Sequence, residues 1–240
     1  MTISETNLVN MYPYLFANLF YLFVLFSGLL FVAKGNRRLV YLAGLVNIPC
    51  FPFLIYFEEI YWYPKRFGGW VLGIEDAICS FVVGAMVVLV VLLFFDYRSS
   101  RDTSLSRILS RYFSFCTISV ILFFLFLLAF GANPMTALIF SNAIVFSLLL
   151  LLRKDLLTVA LLGMIGYGVA HFVLMKIGFW LLPGFLESWN LGTLWGHTLF
   201  NVPLGEITWA FFYGAFWPVF IAHVFDLRVR FRIFPIAAAG

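Results

Sequence analysis

Charge is what this chain has least of. Aspartate, glutamate, lysine and arginine make up 11% of its 240 residues, where a soluble domain carries roughly 25%. With 64% apolar residues and a mean hydropathy of +1.04, that shortage excludes an ordinary water-soluble domain and points to an integral membrane protein. Cysteine is also scarce. Cys50, Cys79 and Cys116 are odd in number and lie in or beside apolar runs. No Cys-x-x-Cys or Cys/His spacing exists, which argues against a disulfide framework and a zinc site. The expectation is three packing thiols, with no metal and no cofactor. The N-terminus lacks a basic region and a small-residue cleavage site, so the first apolar run is expected to be a retained helix rather than a removed signal. The net charge of +4 sits in loops and implies no nucleic-acid partner.

Apolar runs are what the chain has in abundance. About 20 residues are needed to cross the hydrocarbon. Seven runs meet that need, at 12–33, 38–57, 70–96, 112–131, 135–152, 156–179 and 204–226. Backbone polar groups in lipid must satisfy one another, so helices are expected. The basic residues alternate in side. Lys34, Arg37 and Arg38 follow the first run; Arg98, Arg101, Arg107 and Arg111 the third; Arg153 and Lys154 the fifth; Arg228, Arg230 and Arg232 the seventh. Only Lys65, Arg66 and Lys176 fall on the other side. Positive charge marks the inner face, so the N-terminus is expected outside and the C-terminus inside, in a multi-pass cell-membrane protein.

The halves resemble each other. A shift of 130 residues lays Gly73–Ala85 on Pro203–Ala215, matching Phe81 with Phe211, Gly84 with Gly214 and Ala85 with Ala215. The same shift matches Asp96 with Asp226 and Arg98 with Arg228, and puts Asp76 on Glu206. Upstream, a shift of 119 puts Lys34 on Arg153, Gly44 on Gly163 and Pro64 on Pro183. Two parallel three-helix repeats (12–98 and 135–228) joined by a linker helix at 112–131 are expected, forming one membrane domain over 1–240. Glu75, Asp76 and Glu206 then lie at one depth near the outer face, and a pseudo-twofold axis can turn them toward one cavity.

Carboxylates at the mouth of a membrane helix have two readings. In the first they are acids in the opening turn, favoured by the helix dipole, with Asn201 or Val202 as N-cap and Pro203 as first helical residue. In the second they are a pair in an apolar pocket. Desolvation and a neighbouring carboxyl both raise a carboxyl pKa, and an acid that stays protonated can protonate an alkene dissolved in the membrane. The other polar groups are weaker candidates. Asp96 and Asp226 are expected in interfacial ion pairs. Asn47, Asn142 and His171 suit interhelical hydrogen bonds. Glu58, Glu59, Tyr61, Trp62 and Tyr63 look like an outer rim, with Glu59 near a cavity mouth. His197, Trp189 and Trp195 are expected in a loop at the interface.

Phe200–Asp226 and Leu72–Phe81 resemble the two motif helices of the membrane lycopene cyclase domain family, the non-flavin carotenoid cyclases. The resemblance extends over the whole chain as seven spans and two repeats, with only the motif helices specific. It implies redox-neutral closure of a six-membered ring on an acyclic polyprenoid end group, started by an acid and ended by a base, in a lipophilic substrate held among membrane lipids. It also implies Asp76 and Glu206 as the acid/base pair, Glu75 as the neighbour that tunes them, and Phe81, Asn201, Trp209, Phe211 and Phe212 as substrate contacts. Gly73 stands where the family has proline, and Gly205 where it has an acid. Other readings compete. They are an acid-initiated membrane terpene cyclase of the meroterpenoid type, a transporter, and a non-catalytic scaffold subunit. A retinal protein is disfavoured, because Leu204–Asp226 has no lysine.

Overall fold

The computed structural model describes residues 8–58, 60–99, 103–182 and 184–231. It is mostly helical. After a short turn of helix, α1 (Leu8–Met11), come α2 (Pro13–Gly28), α3 (Lys34–Asn47), α4 (Ile74–Leu92), α5 (Leu105–Phe124), α6 (Pro134–Leu152), α7 (Leu157–Leu181) and α8 (Leu204–Val224). Six helical stretches among the described residues are long and apolar enough to cross a membrane. Their outer faces carry large apolar side chains such as Phe23, Leu128 and Trp180, the last 79% exposed. Water does not tolerate so much apolar surface; lipid does.

The run at 38–57 is not one unbroken α-helix. It is α-helical to Asn47 and continues as a 3-10 stretch, Ile48–Tyr56. Pro49 and Pro52 lack the N–H that an α-helix needs and crowd the preceding turn, so the helix expected over 38–57 changes character at its middle. The linker helix also begins earlier than expected, at Leu105, where Ser104 caps it by accepting from the Arg107 N–H. It ends in a π-turn, Leu125–Ala129.

Two helices form the centre. α4 packs on α2 and α3, α8 packs on α6 and α7, and α4 and α8 touch each other. The close approaches are made by glycine. A Cβ on Gly163 would lie 2.2 Å from the Gly214 carbonyl oxygen, and one on Gly84 would lie 2.8 Å from that of Ala43. Small residues at such crossings let membrane helices gain packing energy that the hydrophobic effect does not supply in lipid. Asn47 ties three helices, donating to the Ser80 carbonyl at 2.7 Å and accepting from the Tyr213 hydroxyl at 2.8 Å.

The ends of the two central helices form a ribbon. β1 (Phe95–Ser99) runs antiparallel to β4 (Leu227–Phe231), with Arg98 opposite Arg228 and Asp96 opposite Arg230. Of the two acids expected in interfacial ion pairs, Asp226 forms one and Asp96 takes an amide donor instead. Asp96 accepts from the Asn36 amide at 2.8 Å, and Asp226 lies 3.6 Å from Arg111. A second small ribbon, β2 (Thr198–Leu199) with β3 (Val202–Pro203), leads into α8.

Candidate functional site

Ahead of α4 and of α8, the loops fold over the end of the bundle where both helices begin and clasp each other. Tyr63 donates its N–H to the Ser188 carbonyl, Asn190 donates to that of Tyr61, and Trp62 bridges Trp189. Beneath this clasp lies a cavity of about 180 Å³. A cavity of roughly 150 Å³ is enough to hold benzene, so the space suits one six-membered ring. Its walls come from α2, α4, α6, α7, α8 and both loops, and they are nearly all aromatic or aliphatic.

Glu206 is the one carboxylate in that wall among the described residues. It stands in the first turn of α8, whose N-cap is Pro203 and whose first helical residue is Leu204, one position later than expected. The Leu204 N–H goes to the His197 carbonyl. Glu206 is 7% exposed. Its Oε1 accepts from the Tyr61 hydroxyl and, at 2.8 Å, from the Trp189 indole N–H. Burial, and then the Glu206 carboxylate beside it, push the Tyr61 phenol well above its ordinary pKa, so Tyr61 acts as a donor. Oε2 faces Nε2 of His171 at 3.6 Å. That nitrogen is buried and has no hydrogen-bond partner.

Asp76 is placed differently. It is fully buried, outside the cavity wall, in a clamp of donors. Oδ2 accepts from Arg66 Nε and from the Gly73 N–H, each at 2.7 Å, and Oδ1 accepts from the Tyr14 hydroxyl at 3.1 Å. Arg66 also makes a two-pronged contact with Glu58, at 2.7 and 2.8 Å. Burial alone would lower the Arg66 pKa, but the hydrogen bonds to Glu58 and Asp76 outweigh it and hold that pKa above its ordinary value. Asp76 reaches the cavity wall through Tyr14, whose ring lines it.

Glu75, also fully buried, turns away from the cavity toward the loop. Its Oε1 accepts the Phe67 N–H at 2.6 Å, and Oε2 has no partner. The glycine at position 73 now has a reason. A Cβ there would sit 2.3 Å from Glu75 Oε2, and a proline would remove the N–H that Asp76 accepts.

Of the expected substrate contacts, only Trp209 lies in the wall. Phe81 packs over Gly44 and Phe211 over Gly168. Phe212 is 37% exposed, on the outer surface. Asn201 is exposed in the turn between β2 and β3 at φ 67°, a left-handed conformation that asparagine tolerates. Glu59, Pro183, Arg101 and Arg232 lie outside the described residues.

Several wall residues were not visible in the sequence as such. Tyr61, Trp62 and Trp189, expected at a rim or an interface, form the roof. His171, expected to bond between helices, reaches from α7 toward Glu206 on α8, with Nε2 3.6 Å from Oε2. Its one signal was a titratable side chain in the middle of an apolar run. Nothing local marked the tryptophans, since their position depends on two loops over 120 residues apart in sequence meeting. Among the described residues no three histidine, cysteine or acidic side chains gather as a metal site, and the three cysteines are free thiols. No family model, curated protein or solved structure matches the chain.

Proposed function

We propose that the chain is a membrane cyclase of the lycopene type, which closes a six-membered ring on the acyclic end of a polyprenoid without net redox change. One observation carries this reading: Glu206 stands in a ring-sized apolar cavity, oriented by Tyr61 and Trp189 and with its second oxygen 3.6 Å from His171 Nε2. Glu206 donates a proton to the terminal double bond. The tertiary cation that results is attacked by an internal double bond, which forms the ring. The electron-rich faces of Trp62, Tyr167 and Trp209, all in the wall, stabilise positive charge by about 0.5–2 kcal/mol each. In this reading Asp76 is a positioning residue that holds Tyr14 and the first-half loop, rather than the partner base.

The architecture proposed with it is seven spans in two parallel repeats, N-terminus outside, in a cell membrane. The inner ribbon supports the repeat. Its ladder sets Arg98 against Arg228, the two residues that the 130-residue shift superposes, as a twofold axis through that pair requires. Gly84 and Gly214, also superposed, each seat a central helix on its neighbour.

Production of the chain in a bacterium that accumulates lycopene tests the activity. Cyclic carotenes are expected by chromatography. Unchanged lycopene, with conversion of an epoxidised shorter prenyl substrate instead, would move the assignment to the meroterpenoid type of cyclase.

A further inference from the structure

Ring closure adds a proton at one carbon and releases another from a different carbon, so a second proton-carrying group beside Glu206 has a task. We propose that His171 is that group, and that it takes the proton released at ring closure and returns it to Glu206. The inference rests on the cyclase reading for its chemistry and on the geometry for its partners.

Glu206 Oε1 is committed to Tyr61 and Trp189. Indole nitrogen can only donate, so this oxygen is an acceptor and Oε2 is the one left to carry a proton. Oε2 faces His171 Nε2 at 3.6 Å. That atom is buried and unpartnered, a costly state for a nitrogen that serves packing alone. Both side chains line the cavity. Trp209 meets the imidazole edge-on at 5.7 Å, and Tyr167 lies at the same distance on another side, so the ring is held in place. Apart from phenols and the Cys79 thiol, no other proton-carrying side chain lines the cavity among the described residues.

The steps balance. The Oε2–H bond of Glu206 breaks as a C–H bond forms at the terminal alkene carbon. The internal alkene pair makes the ring C–C bond. A C–H bond beside the ring cation breaks, its electrons become the ring double bond, and its proton goes to His171 Nε2. The separation of 3.6 Å lies just beyond hydrogen-bond range. A small rotation of either side chain returns the proton to Glu206 and resets the pair, with nothing consumed.

Two measurements on the full chain in lipid nanodiscs decide this. The first needs no substrate. The infrared carboxyl band that disappears in Glu206→Gln is expected to shift in His171→Asn; an unmoved band overturns the pairing. The second uses lycopene. His171→Asn is expected to slow cyclisation roughly 100-fold or more and to spread the position of the ring double bond, because proton loss is no longer directed. His171→Gln keeps a hydrogen-bonding side chain but cannot carry the proton, and it is expected to behave like His171→Asn. Wild-type rate and product pattern in these variants, with thermal melting unchanged, would overturn the proposal. Wild-type protein that makes no cyclic product would sink the cyclase reading instead, while the infrared band still decides the pair.

Discussion

The first turns of α4 and α8 carry acids that the sequence superposes, Asp76 and Glu206, and the structure gives them opposite surroundings. Asp76 is satisfied by a guanidinium, a backbone N–H and a phenol. Glu206 has donors on one oxygen and an unbonded histidine near the other, with open space beside it. A charge that is fully paired stabilises a fold and has little left to react with. A carboxylate in an apolar hollow, with one oxygen facing only a histidine 3.6 Å away among the described residues, is costly to keep and available for chemistry. Similar sequence thus meets different surroundings, set by the loops and neighbouring helices that pack around each helix start. The first loop supplies Arg66. The second supplies Trp189.

Breaking the clamp is expected to have the largest effect. Arg66→Leu leaves Asp76 buried without its cation and frees Glu58, and removal of one partner from a buried ion pair costs about 3–5 kcal/mol. Thermal unfolding in detergent should show a large loss of stability; an unchanged midpoint would mean that the clamp does not hold this end of the bundle together. Next comes Gly163→Ala, whose added methyl would meet the Gly214 carbonyl. Forcing α7 and α8 apart should cost about 1–3 kcal/mol and is read in the same melts. Asp76→Asn should follow, losing part of the charge pairing, with a drop in stability and only a modest drop in turnover. The smallest effect is expected for Trp189→Phe. It keeps the ring over the cavity but removes one hydrogen bond to Glu206, worth about 1 kcal/mol, and a several-fold fall in turnover with intact melting would place that bond in orientation of the acid.

Much of the fold was legible because lipid makes the rule simple. A long apolar run must be a helix, and α2, α4, α6, α7 and α8 lie close to where hydropathy puts them. The failures have physical causes. Hydropathy counts Pro49 and Pro52 as part of an apolar run and does not register the missing N–H groups, so the 3-10 stretch went unseen. The same scale treats residues 94–96 as the tail of a span, whereas Phe95 and Asp96 leave the helix to pair with β4. At the site, Glu206 and Trp209 were legible as an acid and an aromatic on one motif helix. Arg66 was read only as a basic residue of an outer loop, because burial between carboxylates has no local signature. The roof tryptophans escaped for the same reason, since contacts between distant loops are not written in either loop alone.

The most direct test sets the two acids side by side. Wild type, Asp76→Asn and Glu206→Gln would be produced in the lycopene-accumulating strain, with protein amount and melting measured alongside the carotenes. Glu206→Gln should fold as well as wild type and yield no cyclic carotene, whereas Asp76→Asn should be less stable and still cyclise. Cyclic product at the wild-type level from folded Glu206→Gln would contradict the assignment of the reacting proton to this side chain.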